Sequence, residues 1–249
     1  MKYYESHEDA YRRIEKENIA SWDEFAKEAE SFETFGLKES LTLALDRIIP
    51  ASDARILEFG CGTGPASCFL AARGYRVDGF DVSPTAIKIA RRNAEDRGLD
   101  INYSVGDICS IPEAMFDTYD IIIDGHCMHC ITYDSDRLVA LKNVFRLLKN
   151  GGYFIIETMS IDDTSQWPYE GRIDEQGIVW SSVKKNYPYD KVRFNGKYWI
   201  CTRRIMSNSD LEDELKQAGF EIEYSEITTE EDNEYMTDYR AICRKVITN

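Results

Sequence analysis

The run Ile56-Leu-Glu-Phe-Gly-Cys-Gly-Thr-Gly64 constrains this chain more than any other feature. Four residues of buried-strand character break into glycines at three alternating positions, Gly60, Gly62 and Gly64. Without Cβ atoms the backbone can turn sharply there and come close to a ligand. Ala66 to Arg73 reads as a helix, whose free N–H groups would face back toward that ligand. Strand, glycine turn and helix in succession predict a parallel α/β sheet with its site at the carboxyl ends of the strands. Glu58 precedes the glycines, and no Gly-Lys-Ser/Thr ending follows them. A carboxylate beside the loop suits a cationic amino-acid ligand better than a polyphosphate.

Further signals follow in order. Tyr75-Arg-Val-Asp-Gly-Phe80 reads as a second strand ending in Asp81, about twenty residues past the loop, where a carboxylate can hold ribose hydroxyls. Tyr103-Ser-Val-Gly-Asp107-Ile108, then Phe116 to Asp124, then Leu147-Leu-Lys-Asn-Gly-Gly152-Tyr-Phe-Ile-Ile-Glu157 complete the series, with Asp120 read as a turn residue before its strand. This sequence resembles the class I S-adenosylmethionine-dependent methyltransferases, with Glu58 to Gly64 as their first motif, over roughly residues 50–160. The resemblance implies an α/β fold: a doubly wound, mostly parallel seven-stranded sheet with an antiparallel C-terminal hairpin, an N-terminal helical lid and a small antiparallel cap insertion. It implies S-adenosyl-L-methionine as cofactor, held by Glu58, Gly60, Cys61, Gly62, Gly64, Asp81, Val82, Asp107, Ile108, Asp124 and Gly125. Asp107 would recognise the adenine amino group, with Ile108 packed on the ring. A nicotinamide or flavin site is the competing reading of the glycines. Its fingerprint prefers a glycine where Ala66 stands, although it sometimes accepts alanine.

Four regions are expected: a helical lid over 1–50, a cofactor-binding core over 51–160, a substrate-specificity cap over 161–205, and the last part of the core sheet over 206–249. In the first region, Tyr11, Ile14, Ile19, Trp22, Phe25, Ala29 and Phe32 recur at helical spacing, and Pro50 ends the run Leu41 to Ile49. Tyr3, Tyr4, Tyr11 and Trp22 are the lid candidates, with plain core packing as the alternative. The cap is aromatic and polar, and Gly177 to Val183 and Lys197 to Arg203 alternate as a pair of antiparallel strands. Trp167, Tyr169, Arg172, Trp180, Arg193 and Trp199 are its candidate substrate-binding residues. Aromatic walls can also hold an amine by cation–π contact, or simply form the cap's own core. Arg172, Arg193, Arg203 and Arg204 could grip a carboxylate or phosphate, some of them being surface charges. Asp210 to Gly219 reads as a helix capped by Ser209 or Asn208, followed by strands Phe220 to Ile227 and Tyr239 to Val246 around an exposed loop.

The stretch Asp124-Gly-His126-Cys127-Met-His129-Cys130 falls where the family sets the methyl-transfer path. His126 and His129 are the catalytic candidates, as general base or substrate-orienting groups. A metal site is the lesser reading, because no remote Cys-x-x-Cys or His pair completes a tetrahedron. Glu157 or Asp124 could also hold an acceptor. His7, near the amino end, is the third histidine.

Composition supports an intracellular enzyme. The net charge of −15 works against nucleic acid as a partner, since phosphate backbones are bound through Lys and Arg. No apolar run suits a membrane span or a signal peptide, and seven scattered cysteines do not resemble a secreted disulfide framework, so a cytoplasmic location is expected. The oligomeric state has no signature. The expectation is an enzyme that methylates an N, O or S atom of a small molecule. The alternatives are a protein or peptide side-chain methyltransferase, and a non-catalytic cofactor-binding regulator of the same fold.

Overall fold

The computed structural model describes residues 5–27, 29–167, 171–230 and 233–246. Its elements in chain order are α1 Glu5–Glu17, α2 Trp22–Ala26, α3 Lys38–Ile48, β1 Arg55–Phe59, α4 Pro65–Ala71, β2 Arg76–Asp81, α5 Pro84–Glu95, β3 Asn102–Val105, β4 Tyr119–Gly125, α6 Asp134–Leu147 and β5 Leu148–Ser160. There follow β6 Arg172–Ile173, β7 Ile178–Val183, β8 Val192–Phe194, β9 Lys197–Arg204, α7 Asn208–Gln217, β10 Phe220–Glu230 and β11 Asn233–Lys245.

Seven strands form one sheet in the order β10-β11-β5-β4-β1-β2-β3. The five central and early strands run parallel, and β11 lies antiparallel between β5 and β10. Strand β1 pairs with both β2 and β4, so the winding reverses there and a crevice opens at the carboxyl ends of β1 and β4. Burial on both faces explains the near-continuous apolar strands. Leu57, Phe59, Ile122, Phe154 and Ile156 pack into one core, while Ile56, Ile121, Ile123 and Ile155 pack into the other. Successive residues thus serve opposite layers, as the two-residue period of a strand requires.

Helix α5 shows how local sequence fixes an element. Ser83 caps it by accepting the N–H of Ala86, Pro84 sits in its first turn, and Ala86, Ile87, Ile89, Ala90 and Ala94 form the buried stripe. Helix α3 stops at Ile49, which adopts φ 48° just before Pro50. A residue preceding proline cannot continue a helix.

Four details differ from the sequence expectations. The amino-terminal helical pattern is broken into three helices, because Asn18 turns left-handed at φ 55° and Ser21 starts a new helix by capping Glu24. The final strands are longer than expected, with Thr228↔Asp238 and Thr229↔Thr237 still paired, since polar side chains leave backbone ladder bonds available. The cap holds four strands, ordered β6-β7-β9-β8, around the expected β7–β9 pair. Helix α7 is capped by Ser207, whose Oγ accepts the Asp210 N–H. Among helices of the described residues, none is long and apolar enough to cross a membrane.

Candidate active site

Backbone geometry builds the floor of the crevice. Gly60 has φ +63°, and a Cβ there would lie 2.5 Å from the Cβ and Sγ of Cys127. The turn after β1 therefore nests against the turn after β4, a contact that only glycine permits. Gly62, at φ +52°, donates its N–H to Asp81 Oδ2 at 3.0 Å, and Ser83 N–H reaches Oδ1 at 2.8 Å. Glu58, at 5% exposure, accepts the hydroxyl of Ser67 from α4.

These carboxylates are costly to ionise. Burial pushes Glu58 up to about 7 and Asp81 up to about 6, and both gain too few compensating bonds to reverse it. Asp124 is also pushed up to about 7 by burial, but it serves the fold. Its Oδ1 accepts Cys127 N–H and Met128 N–H, each at 3.0 Å, and so holds the turn after β4 from beneath.

A cavity of about 280 Å³ fills the crevice. Glu58, Gly60, Cys61, Gly62, Asp81, Val82, Asp107, Ile108 and Gly125 line it, whereas Gly64 and Asp124 do not. Gly64 instead starts α4 at φ +85°, with the Tyr103 hydroxyl packed against it. His126 and His129 line the same cavity from the turn after β4. Tyr11 and Trp22 close it from the amino-terminal helices, their rings 5.5 Å apart. Helix α1 is anchored there by Glu8, whose carboxylate accepts Ser83 Oγ at 2.5 Å and Thr85 Oγ1 at 2.6 Å. Tyr3 and Tyr4 lie outside the described residues.

The two histidines are shifted in opposite directions. Burial works against charge on His126, but the hydrogen bond to Glu157, the charges of Asp238 and Glu157, and Asp124 outweigh it and raise it to about 9. Its Nε2 lies 3.4 Å from Glu157 Oε1, and its backbone takes φ 63°. At neutral pH His126 is thus a cation, a donor and not a base. His129 is driven well below the usual histidine range by burial, with Arg203 adding to it. The Met159 N–H points at its Nδ1 at 3.4 Å, which assigns that nitrogen as acceptor and puts the proton of the neutral ring on Nε2.

His126, Glu157 and Asp238 bring ligand-type atoms within 4.8 Å of one another. Glu157 already faces the guanidinium of Arg240, with Nε 3.0 Å from Oε2, so the group is charge-balanced as an ion-pair network. Burial alone would raise Glu157, but His126 and Arg240 hold it below its ordinary value. Arg137, 1% exposed, braces the turn by donating Nη1 to Met128 O at 2.5 Å and pairing with Glu214 at 2.6 Å.

The candidate substrate residues of the cap fall away from the cavity. Trp167 packs with Ile161, Val179 and Ile205, and Trp180 Nε1 donates to Asp174 at 2.8 Å. Arg172 sits over the Phe194 ring, Arg193 lies near the Tyr198 ring, and Trp199 Nε1 donates to Phe194 O. Tyr169 lies outside the described residues. From the cap it is Arg203, on β9, that lines the cavity. Asp120 is the second residue of β4 rather than a preceding turn, and its carboxylate takes Lys149 Nζ at 2.8 Å and Arg55 N–H at 2.9 Å.

Comparison with known proteins decides what this arrangement is. Residues 56–152 match the model of a methyltransferase domain family. Over those residues the chain is similar to a methyltransferase domain. A ubiquinone biosynthesis O-methyltransferase from Coxiella burnetii is 30% identical to the chain over 154 residues, 60% of this chain and 64% of that protein. One from Xylella fastidiosa is 29% identical over 116 residues, 47% of this chain and 46% of that protein. The chain thus spans less than two thirds of the length of these relatives. An S-adenosylmethionine-dependent methyltransferase structure from Clostridium acetobutylicum superposes with a TM-score of 0.67 at 17% identity, over 96% of this chain and 100% of that one, a likeness of fold. The matched residues hold the glycine turn, Glu58, Asp81, Asp107, His126 and His129; His7, Tyr11, Trp22 and Arg203 join them from outside the match.

The cavity suits the cofactor of such domains. Glu58 and Asp81 are buried acids on its wall, each raised by burial, and no Lys or Arg at that end offsets them. A ligand carrying an ammonium group and a ribose diol would satisfy both.

Proposed function

We propose that this chain is an S-adenosyl-L-methionine-dependent methyltransferase that acts on an oxygen of a small molecule. The observation that carries the reading is the single cavity that joins an uncompensated acidic end, Glu58 and Asp81, to an end with His126 and His129. Glu58 would take the ammonium of the cofactor, Asp81 the ribose hydroxyls, and Asp107 with Ile108 the adenine. When bound, the cofactor supplies a methyl group already activated on a sulfonium. The protein's share is then to align the acceptor and exclude water. Tyr11 and Trp22 cover the cavity, so residues 1–50 serve as its lid; residues 161–205 serve as the cap that shapes acceptor entry. His126 as a cation and His129 with its proton on Nε2 both present donors. They would orient an acceptor oxygen and stabilise it as an anion, in place of the general-base role expected from the sequence. The names of the relatives in Coxiella and Xylella favour oxygen as the accepting atom.

Calorimetric titration with S-adenosylhomocysteine, with NAD as control, tests the cofactor. Micromolar binding of the first alone supports the reading, and binding of NAD instead, or of neither, removes it. Labelled methyl appearing in protein rather than in small metabolites would favour the peptide reading; a tight site with no acceptor in either pool would favour a regulator.

A further inference from the structure

Among the described residues, Arg203 is the one Lys or Arg side chain lining the cavity, and its side-chain contacts there are to neutral groups. Its neighbours on the same and nearby strands are matched: Arg204 meets Asp134 at 3.0 Å, and Arg240 meets Glu157 at 3.0 Å. What Arg203 Nη1 touches is neutral, Thr202 O at 2.9 Å and His7 Nε2 at 3.4 Å. His7 is kept uncharged, pushed down to about 3 by burial and then by Arg203 itself, so it accepts from the guanidinium without competing for it. A guanidinium has five donors in a flat fork. These contacts occupy one nitrogen and leave the fork open to a planar anion. Of the acids on the cavity wall, Glu58, Asp81 and Asp107 belong to the ends of β1, β2 and β3, and Asp23 on α2 accepts the Gly36 N–H at 2.9 Å, while Arg203 comes from β9, an element packed against the turn Met128–Cys130.

We infer that Arg203 is a specificity residue which binds a carboxylate, or a like planar anion, on the methyl acceptor, so that the enzyme selects anionic small molecules. This inference rests on the proposed function. The anion is a handle and the methylated oxygen is a separate hydroxyl: the oxygen–methyl bond forms, the sulfur–methyl bond breaks, and the hydroxyl proton leaves to solvent. A guanidinium held on a carboxylate withdraws the electron density that attack by that same carboxylate would need.

The test uses the full chain with methyl-labelled S-adenosylmethionine and a small-metabolite extract. The labelled product is separated on an anion exchanger at pH 8 and then exposed to mild base. The expected product is retained as an anion and is stable to base. Arg203→Met should lower labelling about 10–100-fold, as loss of a bidentate charged contact does, while Arg203→Lys restores part of it. Affinities for S-adenosylhomocysteine and for methylthioadenosine, which lacks the amino-acid part, should both stay within about twofold. A neutral product, or a base-labile methyl ester, overturns the inference and leaves the methyltransferase reading standing. Selective loss of S-adenosylhomocysteine affinity in Arg203→Met also overturns it, because the anion would then be the cofactor's own carboxylate. Absence of any labelled product with the homocysteine form still bound removes the methyl-transfer reading, and this inference with it.

Discussion

In the proposed function, single side chains would carry the cofactor chemistry. Asp81 combines burial with bonds to Gly62 and Ser83, so it is already fixed before any ribose arrives. Asp81→Ala should weaken S-adenosylhomocysteine binding by about 1–3 kcal/mol, measured by calorimetry; unchanged affinity would take Asp81 out of the site. Glu58 gives a pH signature. In the free protein it is held near 7 by burial, and an ammonium ligand favours its ionised form. Binding below that value must therefore release a proton, and affinity should fall up to about tenfold per pH unit as pH drops from 7 toward 5. Glu58→Gln should bind more weakly and lose that slope, read as proton release in buffers of different ionisation enthalpy. These two proposed roles are readable in the sequence because a carboxylate at a strand end next to a glycine turn has few other uses. The charge states of His126 and His129 were not legible. That of His126 depends on Glu157 of β5, about thirty residues along the chain, and that of His129 on burial and on Arg203 of β9.

At the scale of elements, two contacts tie the walls of the site to the core. Glu8 ties α1 to the first turn of α5, where a carboxylate also meets the positive end of the helix. Glu8→Ala should leave the core intact but free the amino-terminal helix. Proteolysis within residues 5–17 should then quicken several-fold, and S-adenosylhomocysteine should restore protection only in the wild type. Arg137 plays the same part for the turn after β4, tying Met128 O and Ile131 O to Glu214 on α7. Arg137→Met strands a buried carbonyl and a half-buried acid, and should cost about 3–5 kcal/mol in chemical denaturation. A loss below about 1 kcal/mol would mean the turn is held by Asp124 alone. This use of Arg137 was not readable in the sequence, since a charged residue on a helix reads as solvent-facing until its partner is known.

For the whole molecule, the balance of buried charges sets where it is most stable. His126 is raised to about 9 from an ordinary 6.5, so its stabilising contribution is complete below 6.5 and is lost as pH climbs through 9. Glu58 and Asp124, raised to about 7, are protonated in the fold and ionised in the unfolded chain at pH 6. Their contribution falls in the same direction as pH rises through 7. His7, pushed down to about 3, acts the other way below 6.5, because the unfolded chain then binds the proton that the fold excludes. Thermal stability of the cofactor-free protein should therefore decline from about pH 6.5 toward pH 9 as His126 loses its proton. The decline should be shallower in His126→Gln; an unchanged slope in that variant would show that His126 is not the cation of the site.

The sequence by itself determined the sheet and its floor: alternating glycines, strand-end acids and apolar strands are local signals, each readable within a few residues. It also determined that the chain after β5 would form an antiparallel cap. Which cap residue enters the cavity was decided by tertiary structure. Arg172, Arg193, Arg203 and Arg204 look alike as sequence, but the twist and pairing of β7 with β9 turn Arg203 inward and leave Arg204 to Asp134. The same holds for Trp167 and Trp180, which the cap needs for its own packing and internal bonds. Local pattern fixes what the backbone does. Which charge stands alone depends on partners brought together across the chain, and only the folded arrangement supplies them.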